Sequence, residues 1–495
     1  MIKTLLGVVM FGLAFCANAQ DVTRPAIHFT PQKGWMNDPN GMVFYKGEYH
    51  LFFQHTPFST IPDFTRMHWG HAVSKDLVHW TELESALKPD DLGAIFSGSA
   101  VFDVNNTSGF GKDGIAPLVA IFTHHNSVGE KAGVDNFQNQ SIAYSLDNGR
   151  TWTKYEGNPV VKNPGIRDFR DPKVFWYEEG KKWIMTLATL DHITFYSSPN
   201  LKDWKEESKF GKNAGAHGGV WECPDLISFD KKGKKVWVLI VNLNPGGPNG
   251  GSGTQYFTGG FDGSVFTADH TETKWLDFGP DEYAGVTWDN TGNRKLLIGW
   301  MNNWKYAFTV PATTWRGTMT VPRELQLKKL ENDYRLSCAP AVEVINHFKN
   351  KGKWKKVNKV NTSSEPIATN TGAFQVELKL SAASSFEIKL FNKKGEEILA
   401  GFDKTSNTFY IDRAKSGRTA YLNEFAKRYT APRFALGNAV DVTLIIDNTS
   451  IEMFADGGLT AMTSVCFPTE PFNQVAVSQN GRITNSSQWR VNNAD

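Results

Sequence analysis

Short runs of apolar and aromatic residues alternate with polar turn residues from residue 24 to about residue 335. The runs are rich in Val, Ile, Phe, Tyr and Trp, and they are separated by Gly, Asn, Asp and Pro. Their lengths suit β-strands, and long stretches with the periodicity of a helix are missing. This region is therefore predicted to be all-β, with strands at residues such as 42–45, 49–53, 118–122 and 236–240.

A degenerate repeat divides the same region. A segment that begins with Ser, passes through a polar turn and ends with Trp occurs at residues 74–80, 145–152 and 198–204. Each copy follows a β-like run, and spacings of roughly 50 to 70 residues suit one four-stranded blade each. The repeat predicts a five-bladed β-propeller, which we assign to residues 20–340.

The pattern changes near residue 345. A basic run of Lys349, Lys351, Lys353, Lys355 and Lys356 around Trp354 is interpreted as a solvated linker, residues 341–356. Beyond it, apolar and polar residues alternate strictly at residues 374–380, 386–390, 442–446 and 451–454. Strict alternation with one polar face is typical of strands that cover a core on one side only. A β-sandwich is predicted for residues 357–495.

The N-terminus has the pattern of a signal peptide, residues 1–19. Lys3 precedes an apolar run at residues 5–15, which is short for a membrane span, and Ala17 and Ala19 have the small-x-small spacing of a cleavage site. Cys16 raises the question of lipid attachment, but the bulky Phe15 before it favours a soluble exported protein. No other apolar stretch of about 18 residues occurs, so no membrane span is predicted.

Composition and charge narrow the functional classes. A net charge of +2 gives no indication of a nucleic-acid or anionic-membrane partner. Three widely spaced cysteines outside the signal peptide are no disulfide framework, and the 12 histidines lack metal-ligand spacing. We therefore predict neither a metal site nor a cofactor. Aromatic residues make up 13% of the chain, which suits core packing and also stacking on sugar rings.

The first candidate catalytic carboxylate is Asp38, within the segment W-M-N-D-P-N-G at residues 35–41. Pro39 restrains the backbone and biases Asp38 toward extended geometry, and Asn40 with Gly41 favours a turn. The segment can therefore present a carboxylate at the end of a strand, beside the amide of Asn37. Taken alone, it could equally be an ordinary turn.

Two further carboxylates lie in comparable surroundings. Asp171 also precedes a proline, and Arg170 beside it can keep it ionised, although an ordinary ion pair explains this as well. Glu222 lies between Trp221 and Cys223, where desolvation can raise the pKa of a carboxyl group as a general acid requires. Alone, Glu222 could be a surface residue. Cys223 is expected to tune this environment, because the sequence offers no base to activate its thiol.

Together the three carboxylates suit acetal cleavage, which needs one acid to protonate the leaving oxygen and one carboxylate at the reacting carbon. The motifs W-M-N-D-P-N-G, R-D-P and E-C-P occur in the order and spacing of glycoside hydrolase family 32, the invertase, inulinase and levanase group. The chain is identified as resembling this family over essentially its whole mature length. The resemblance implies Asp38 as nucleophile, Asp171 as transition-state stabiliser and Glu222 as acid/base.

The resemblance also implies a set of substrate-binding residues around the fructosyl unit. Motif by motif, these positions are Asn37, Gln54, Trp69, Phe96, Ser97, Arg170, Tyr283 and Trp300. Two departures from the family pattern affect the outer subsites. Phe64 stands where many relatives have a Trp at the rim of the active site, and Glu282 stands where an aromatic residue is common.

The implied reaction is a retaining double displacement at the anomeric carbon of a β-fructofuranoside, with catalytic carboxyls ~5–5.5 Å apart. Residues 246–257 resemble a segment typical of inulinases and levanases, which favours hydrolysis of levan or inulin, with sucrose and fructo-oligosaccharides also accepted. Exo action is expected because a pocket at the mouth of a funnel binds one chain end. The alternatives are endo cleavage, fructosyl transfer by the same centre, and a non-catalytic carbohydrate-binding protein. The sequence does not decide whether levan or inulin is preferred, which oligomeric state forms, or whether the protein is periplasmic or extracellular.

Overall fold

The computed structural model describes residues 24–331, 333–351, 355–357, 367–368, 373–381, 384–420, 424–478 and 488–493. The predicted signal peptide, together with Lys353 and Trp354 of the predicted linker, lies outside these residues. Among the helices of the described part of the chain, none is both long and apolar enough to cross a membrane.

The N-terminal region is built almost entirely of strands, as predicted. Its one helix among the described residues is α1 (Ser127–Lys131), and its strands are β1 (Gly34–Tyr45), β2 (Glu48–Thr56), β3 (His68–Ser74), β4 (Trp80–Leu87), β5 (Ala94–Phe102), β6 (Leu118–His125), β7 (Gln138–Ser145), β8 (Thr153–Lys154), β9 (Phe169–Tyr177), β10 (Lys182–Thr189), β11 (His192–Ser198), β12 (Lys205–Phe210), β13 (Val220–Lys231), β14 (Lys234–Asn244), β15 (Gly253–Phe261), β16 (Phe266–Ala268), β17 (Lys274–Trp275), β18 (Tyr283–Thr287), β19 (Leu296–Trp300), β20 (Trp315–Arg316), β21 (Arg323–Leu330) and β22 (Asp333–Pro340).

Successive groups of these strands form five antiparallel sheets. The sheets consist of β1–β4, β5–β8, β9–β12, β13–β17, and β18, β19, β21 and β22. The first strand of each sheet contacts the first strand of the next, and β18 contacts β1, so the first strands close a ring. The late strand β20 pairs in parallel with β1 and thereby joins the two ends of the ring. Sheets arranged radially around an axis form a β-propeller.

The sequence repeat corresponds to the turn between the third and fourth strands of a sheet. The hydroxyl of Ser145 donates to Asp147 Oδ1 at 2.8 Å, and Ser198 donates to Asn200 in the same way at 3.3 Å. The indole nitrogen of Trp152 then donates to the carbonyl of Gly149 within the turn. The repeated segment therefore forms a turn with a recurring local hydrogen-bond pattern, and each turn ends at a partly buried Trp.

The C-terminal region contains two six-stranded sheets. Its strands are β23 (Lys355–Val357), β24 (Ile367–Ala368), β25 (Phe374–Ser381), β26 (Phe386–Phe391), β27 (Glu397–Asp403), β28 (Thr408–Lys415), β29 (Arg428–Pro432), β30 (Ala439–Asp447), β31 (Ser450–Ala455), β32 (Thr460–Val465), β33 (Gln474–Ser478) and β34 (Gln488–Asn493). One sheet has the order β23-β34-β25-β30-β31-β32 and the other β24-β33-β26-β27-β28-β29. Their facing apolar side chains form one buried core, so the predicted class, a propeller followed by a β-sandwich, is confirmed.

The stretch predicted to be a linker contains a second helix, α2 (Val342–Lys351). Its residues Val344 and Phe348 are buried, and they belong to a core cluster that also includes Ile445 and Phe454 of the sandwich. The helix therefore packs between the two regions, with Lys349 on its exposed side.

A buried set of charged residues, the interface cluster, also joins the two regions. Arg323 of the propeller donates to Asp277 at 2.9 Å and also to Glu452 of the sandwich. His28 hydrogen-bonds to both Asp447 and Glu452 at 2.8 Å. All of these side chains are essentially inaccessible to solvent.

Candidate active site

The same irregularity occurs in all of the ring-forming first strands. The strand register shifts between Met36 and Pro39 in β1, between Phe96 and Gly98 in β5, and between Glu222 and Asp225 in β13. The register between β9 and β10 shifts at Asp171, and the register between β18 and β19 shifts after Tyr283. A β-bulge bends a strand and redirects a side chain, and here the bulged strands lie around one axis. The bulges therefore turn side chains of neighbouring sheets toward a common centre.

The prolines of the sequence motifs coincide with these bulges. Pro39, Pro172 and Pro224 cannot donate a ladder hydrogen bond, so each is tolerated where the ladder is already interrupted. The neighbouring Asp171 and Cys223 have φ angles of +63° and +43°. Such left-handed conformations are costly for residues other than glycine, and they cluster at functional sites.

Asp38 lies in the β1 bulge, and its Oδ1 is buried without a hydrogen-bond partner among the described residues. Burial raises the pKa of Asp38 to about 7, and the charge of Glu222 adds to this effect. A hydrogen bond from Asn37 opposes the shift. The Asn37 carbonyl oxygen accepts from the indole nitrogen of Trp35 at 2.7 Å, which orients the amide group.

Asp171 is held by backbone and side-chain groups of two neighbouring sheets. The Cys223 amide donates to Asp171 Oδ2 at 3.1 Å, and the Asp171 amide donates to Thr123 Oγ1 at 3.1 Å. Burial raises the pKa of Asp171 to about 6, although the Arg170 guanidinium, 3.9 Å away, acts in the opposite direction. Asp171 is thus a fixed carboxylate with one cation beside it.

Glu222 is held between a cation and a phenol. Arg170 donates to its Oε1 at 2.9 Å, and the hydroxyl of Tyr283 donates to its Oε2. Burial and the nearby acids raise the pKa of Tyr283 well above its usual value, so Tyr283 stays a neutral donor. The environment predicted for Glu222 is therefore corrected: its side chain is 19% exposed and ion-paired rather than enclosed by apolar neighbours.

Cys223 lies between the acids. Its Sγ is 3.7 Å from Asp171 Oδ2 and 4.0 Å from Asp38 Oδ2. Burial, with the three surrounding carboxylates, raises the pKa of the thiol well above its usual value. A protonated thiol is a weak donor and a poor nucleophile, so Cys223 supports the neighbouring carboxylates.

A cavity of about 350 Å³ opens above this cluster. Eight of the predicted site residues line it: Asn37, Asp38, Gln54, Phe96, Ser97, Arg170, Asp171 and Glu222. The other three are buried behind its wall. Trp69 donates to the carbonyl of Phe96 at 2.9 Å, Tyr283 supports Glu222, and Trp300 packs against Trp304 with ring centroids 4.7 Å apart.

The rest of the wall consists of residues that no motif predicted as substrate-binding. They are Phe64, His125, Glu130, Phe137, Gln138, Arg167, Asp168, Asn244, Trp304 and Phe308. His125 stacks on Phe96 with ring centroids 4.1 Å apart, and Glu130 is carried by α1. Phe64 was noted only as a departure from the family pattern. Most of these residues lie in connecting loops, where the sequence carries neither periodicity nor a motif.

Comparison with known proteins gives a consistent result. The model of the glycosyl hydrolases family 32 N-terminal domain matches residues 28–340, and the model of the family 32 C-terminal domain matches residues 343–493. Levanase from Bacillus subtilis is 44% identical over 94% of this chain and 70% of its own length. Extracellular exo-inulinase from Aspergillus niger is 39% identical over 100% of this chain and 98% of its own length.

A solved structure shows the same architecture. The crystal structure of exo-inulinase from Aspergillus awamori superposes with a TM-score of 0.86 at 36% identity, covering 95% of this chain and 98% of that one. The family models together match nearly all of the described residues, and the relatives align over both regions. The chain therefore belongs to glycoside hydrolase family 32.

Proposed function

We propose that this family 32 glycoside hydrolase is an exo-acting, retaining β-fructosidase of levan or inulin, with Asp38 as nucleophile and Glu222 as acid/base. One observation carries the assignment: three carboxylates from three different sheets line one cavity, and Arg170 contacts two of them, Asp171 and Glu222. Paired carboxylates across an acetal are the requirement for retaining hydrolysis.

The contacts support distinct roles for the three acids. No cation among the described residues forms an ion pair with Asp38, so its carboxylate is free to attack the anomeric carbon once it is ionised. Glu222 is partly exposed and can reach the leaving oxygen, while Tyr283 and Arg170 hold its two oxygens. Asp171, fixed by the Cys223 amide, is suited to accept hydrogen bonds from ring hydroxyls rather than to move a proton.

The cavity favours action at a chain end. Its floor is closed by the bulged strands, and loops from several sheets surround its mouth, so it suits one terminal sugar. The glycine-rich segment 246–257 lies directly behind this wall: Ser252 donates to Asn244 at 3.2 Å and accepts from the Trp304 amide at 3.3 Å. The names of the relatives, levanase and exo-inulinase, support a fructan rather than sucrose as the main substrate.

Chromatography of the first products from levan, inulin and sucrose tests the proposal. We expect free fructose alone from both polymers, and a higher kcat/KM for one of them than for sucrose. The Asp38→Ala variant serves as the inactive control. A ladder of oligosaccharides would instead show endo cleavage, and products larger than the substrate would show fructosyl transfer. If no fructoside were cleaved, the assignment itself would be wrong.

We also propose that the protein is exported and cleaved after Ala19. The relative from Aspergillus niger is named an extracellular exo-inulinase, which supports export. N-terminal sequencing of the protein recovered outside the cytoplasm should begin at Gln20. Recovery of an intact Met1, or of a lipid-modified Cys16, would contradict this cleavage site.

A further inference from the structure

Two aromatic residues of the cavity wall belong to one short segment, residues 301–310, which we call the rim segment. Its backbone forms consecutive turns, in which Tyr306 and Ala307 donate to the carbonyl of Asn303 at 3.0 and 2.9 Å. In such a coiled segment, residues four apart lie on the same side. Trp304 and Phe308 accordingly both face the cavity.

The opposite side of the rim segment rests on the sandwich. Tyr306 and Val310 share a small buried cluster with Phe425 and Val465, which belong to the C-terminal region. The rings of Tyr306 and Phe425 meet edge to face with centroids 5.3 Å apart. The position of the cavity wall therefore depends on a surface supplied by the other domain.

One fully buried arginine of the sandwich, Arg413 on β28, fixes this contact. Its guanidinium donates to the hydroxyl of Tyr306 at 2.9 Å and to Asp281 Oδ2 at 2.6 Å. It also donates to the hydroxyl of Tyr429 at 2.9 Å and lies 3.5 Å above the ring of Phe425. A planar guanidinium can hold several acceptors at once in a fixed geometry, which a lysine cannot do.

Asp281 completes the link to the propeller. The hydroxyl of Tyr306 donates to its Oδ1, and the amide of Val465 donates to its Oδ2 at 2.8 Å. Asp281 is two residues before Tyr283, whose hydroxyl contacts Glu222. The Arg413 contacts therefore extend to the rim segment on one side and to the strand that supports the acid/base on the other.

Phe308 shows which part of the substrate this arrangement affects. The residue is 42% exposed, against 6% for Asp171, so we place it at the mouth of the cavity rather than at its floor. Phe64, at 41% exposure, lies near Trp304 with ring centroids 6.4 Å apart, so the outer wall on this side is aromatic. Aromatic rings at a mouth are suited to stack on the sugar next to the one being cleaved.

We infer that Arg413 is a positioning residue for substrate recognition: it acts through Tyr306 to hold Trp304 and Phe308 against the sugars beyond the terminal fructose. The inference rests on the proposed function, since it assigns the outer wall of that same site. It also gives the sandwich a role in specificity in addition to its structural one.

Steady-state kinetics of Arg413→Met and Tyr306→Phe on sucrose and on a fructo-oligosaccharide of four or more units test this role. For Arg413→Met we expect KM for the oligosaccharide to rise about tenfold while kcat changes about twofold or less, because binding outside the reacting bond is lost. Tyr306→Phe removes only one hydroxyl and should raise KM about threefold. Arg413→Lys keeps the positive charge but not the planar set of guanidinium donors, so it should reverse only part of the rise in KM seen in Arg413→Met.

The control is Arg433→Met, which removes another buried arginine of the sandwich. Arg433 Nε lies 2.7 Å from Asp456 Oδ2, and this pair makes no contact with the rim segment among the described residues. We expect this variant to lower Tm without changing either KM. An equal KM change in Arg433→Met, or unchanged KM values in Arg413→Met and Tyr306→Phe, would overturn the inference. A wild-type enzyme inactive on every fructoside would instead contradict the proposed function. Tyr306→Phe still gives an answer if Arg413→Met fails to fold.

Discussion

The catalytic centre and the interface cluster both bury carboxylates beside arginine, but they balance the charge differently. In the candidate catalytic centre, Arg170 contacts Asp171 and Glu222, and the pKa values of Asp38 and Asp171 are raised to about 7 and about 6, chiefly by burial. Carboxylates that are short of positive charge hold protons more tightly.

In the interface cluster, which we call matched, each of the three acids contacts at least one of the two cations: Asp277 contacts Arg323, Asp447 contacts His28, and Glu452 contacts both. Burial opposes ionisation of Glu452, but Arg323 and His28 together lower its pKa below the usual value. Burial alone would also lower the pKa of His28, yet hydrogen bonds to Asp447 and Glu452 raise it to about 9. Both partners are therefore charged, and the contacts join the two domains.

The difference separates two uses of buried charge. A matched cluster stabilises the fold, because removing either partner leaves the other unpaired in a low dielectric. An unmatched cluster costs stability, but it keeps a proton and a reactive carboxylate available at neutral pH. The two clusters should therefore respond in opposite ways to substitution.

The largest effect is expected for Asp38→Ala. Removal of the proposed nucleophile should lower kcat by about 10⁴-fold or more, since the proposed covalent intermediate could no longer form on Asp38. Because the lost carboxyl is buried and short of cations, Tm should stay unchanged or rise. Initial rates on inulin or levan and a thermal melt measure both quantities.

The exposed Asp91 provides a matched control, and Asp91→Ala should change neither the rate nor Tm. Retention of a tenth or more of the activity by Asp38→Ala would refute the nucleophile assignment. A fall in Tm comparable to that expected for the interface cluster would refute the contrast between the two clusters.

This contrast also shows how far the sequence could lead. The three candidate catalytic acids are adjacent to Pro or Cys in short motifs, and the alternation of apolar residues separates propeller from sandwich. Both are local patterns that can be recognised in the sequence. The interface cluster joins His28 to Glu452 and Arg323 to Glu452, residues more than 120 positions apart. No local pattern encodes such a pair.

The cavity wall was less accessible to prediction for the same reason. Trp69 and Trp300 belong to recognisable motifs but lie behind the wall, whereas Trp304 and Phe308 form it without a motif. The environment predicted for Glu222 was wrong because Arg170, which is 52 residues away in sequence, supplies its partner. Sequence neighbours alone did not reveal which groups the bulges bring together.

The second prediction concerns stability. Arg323→Met leaves the buried Asp277 without its cation and Glu452 with His28 alone, and we expect a loss of about 3–5 kcal/mol of unfolding free energy. Chemical denaturation followed by tryptophan fluorescence measures it. The protein that remains folded should keep near-normal kcat, because Arg323 does not line the cavity.

Lys415→Met is the matched control, since Lys415 forms a mostly exposed ion pair with Glu397 on the sandwich. Exposed pairs contribute about 0–1 kcal/mol, so little change is expected. If Arg323→Met cost no more than this control, the interface cluster would not hold the domains together in the way proposed.

The third prediction is a shift in pH dependence. Asp38 must be ionised to attack, so kcat/KM should rise with pH until the pH passes about 7, the raised pKa of this group. The charge of Glu222 is the second cause of that shift after burial. Glu222→Gln is assayed on an aryl β-fructoside, whose leaving group needs little protonation. In this variant the acid limb of the profile of kcat/KM against pH should move down by about one pH unit.

The control for this shift is Glu156→Gln, at an exposed position, which should leave the acid limb in place. An acid limb that stays near the same pH in Glu222→Gln would show that the two carboxylates do not interact, and it would count against their pairing across the scissile bond.

The smallest effect is expected for the pH dependence of stability that His28 causes. This effect tests the interface cluster by a change of pH. The pKa of His28 is raised from 6.5 to about 9, so the proton it carries stabilises the folded state. This contribution is fully present below about pH 6.5 and is lost as the pH rises through about 9. Asp447 and Glu452 face the imidazole, and both stay ionised over this range.

Replacement of His28 by Gln removes the titrating group. Between pH 6 and 9.5 the Tm of the wild type should therefore fall by a few degrees more than that of His28→Gln, whereas at pH 9.5 the two values should converge. His79→Gln, at an exposed histidine paired to Asp76, provides the comparison and should follow the wild type. Parallel curves for wild type and His28→Gln would mean that the imidazole is neutral in the folded protein, and the interface would then lack the second cation that distinguishes it from the catalytic centre.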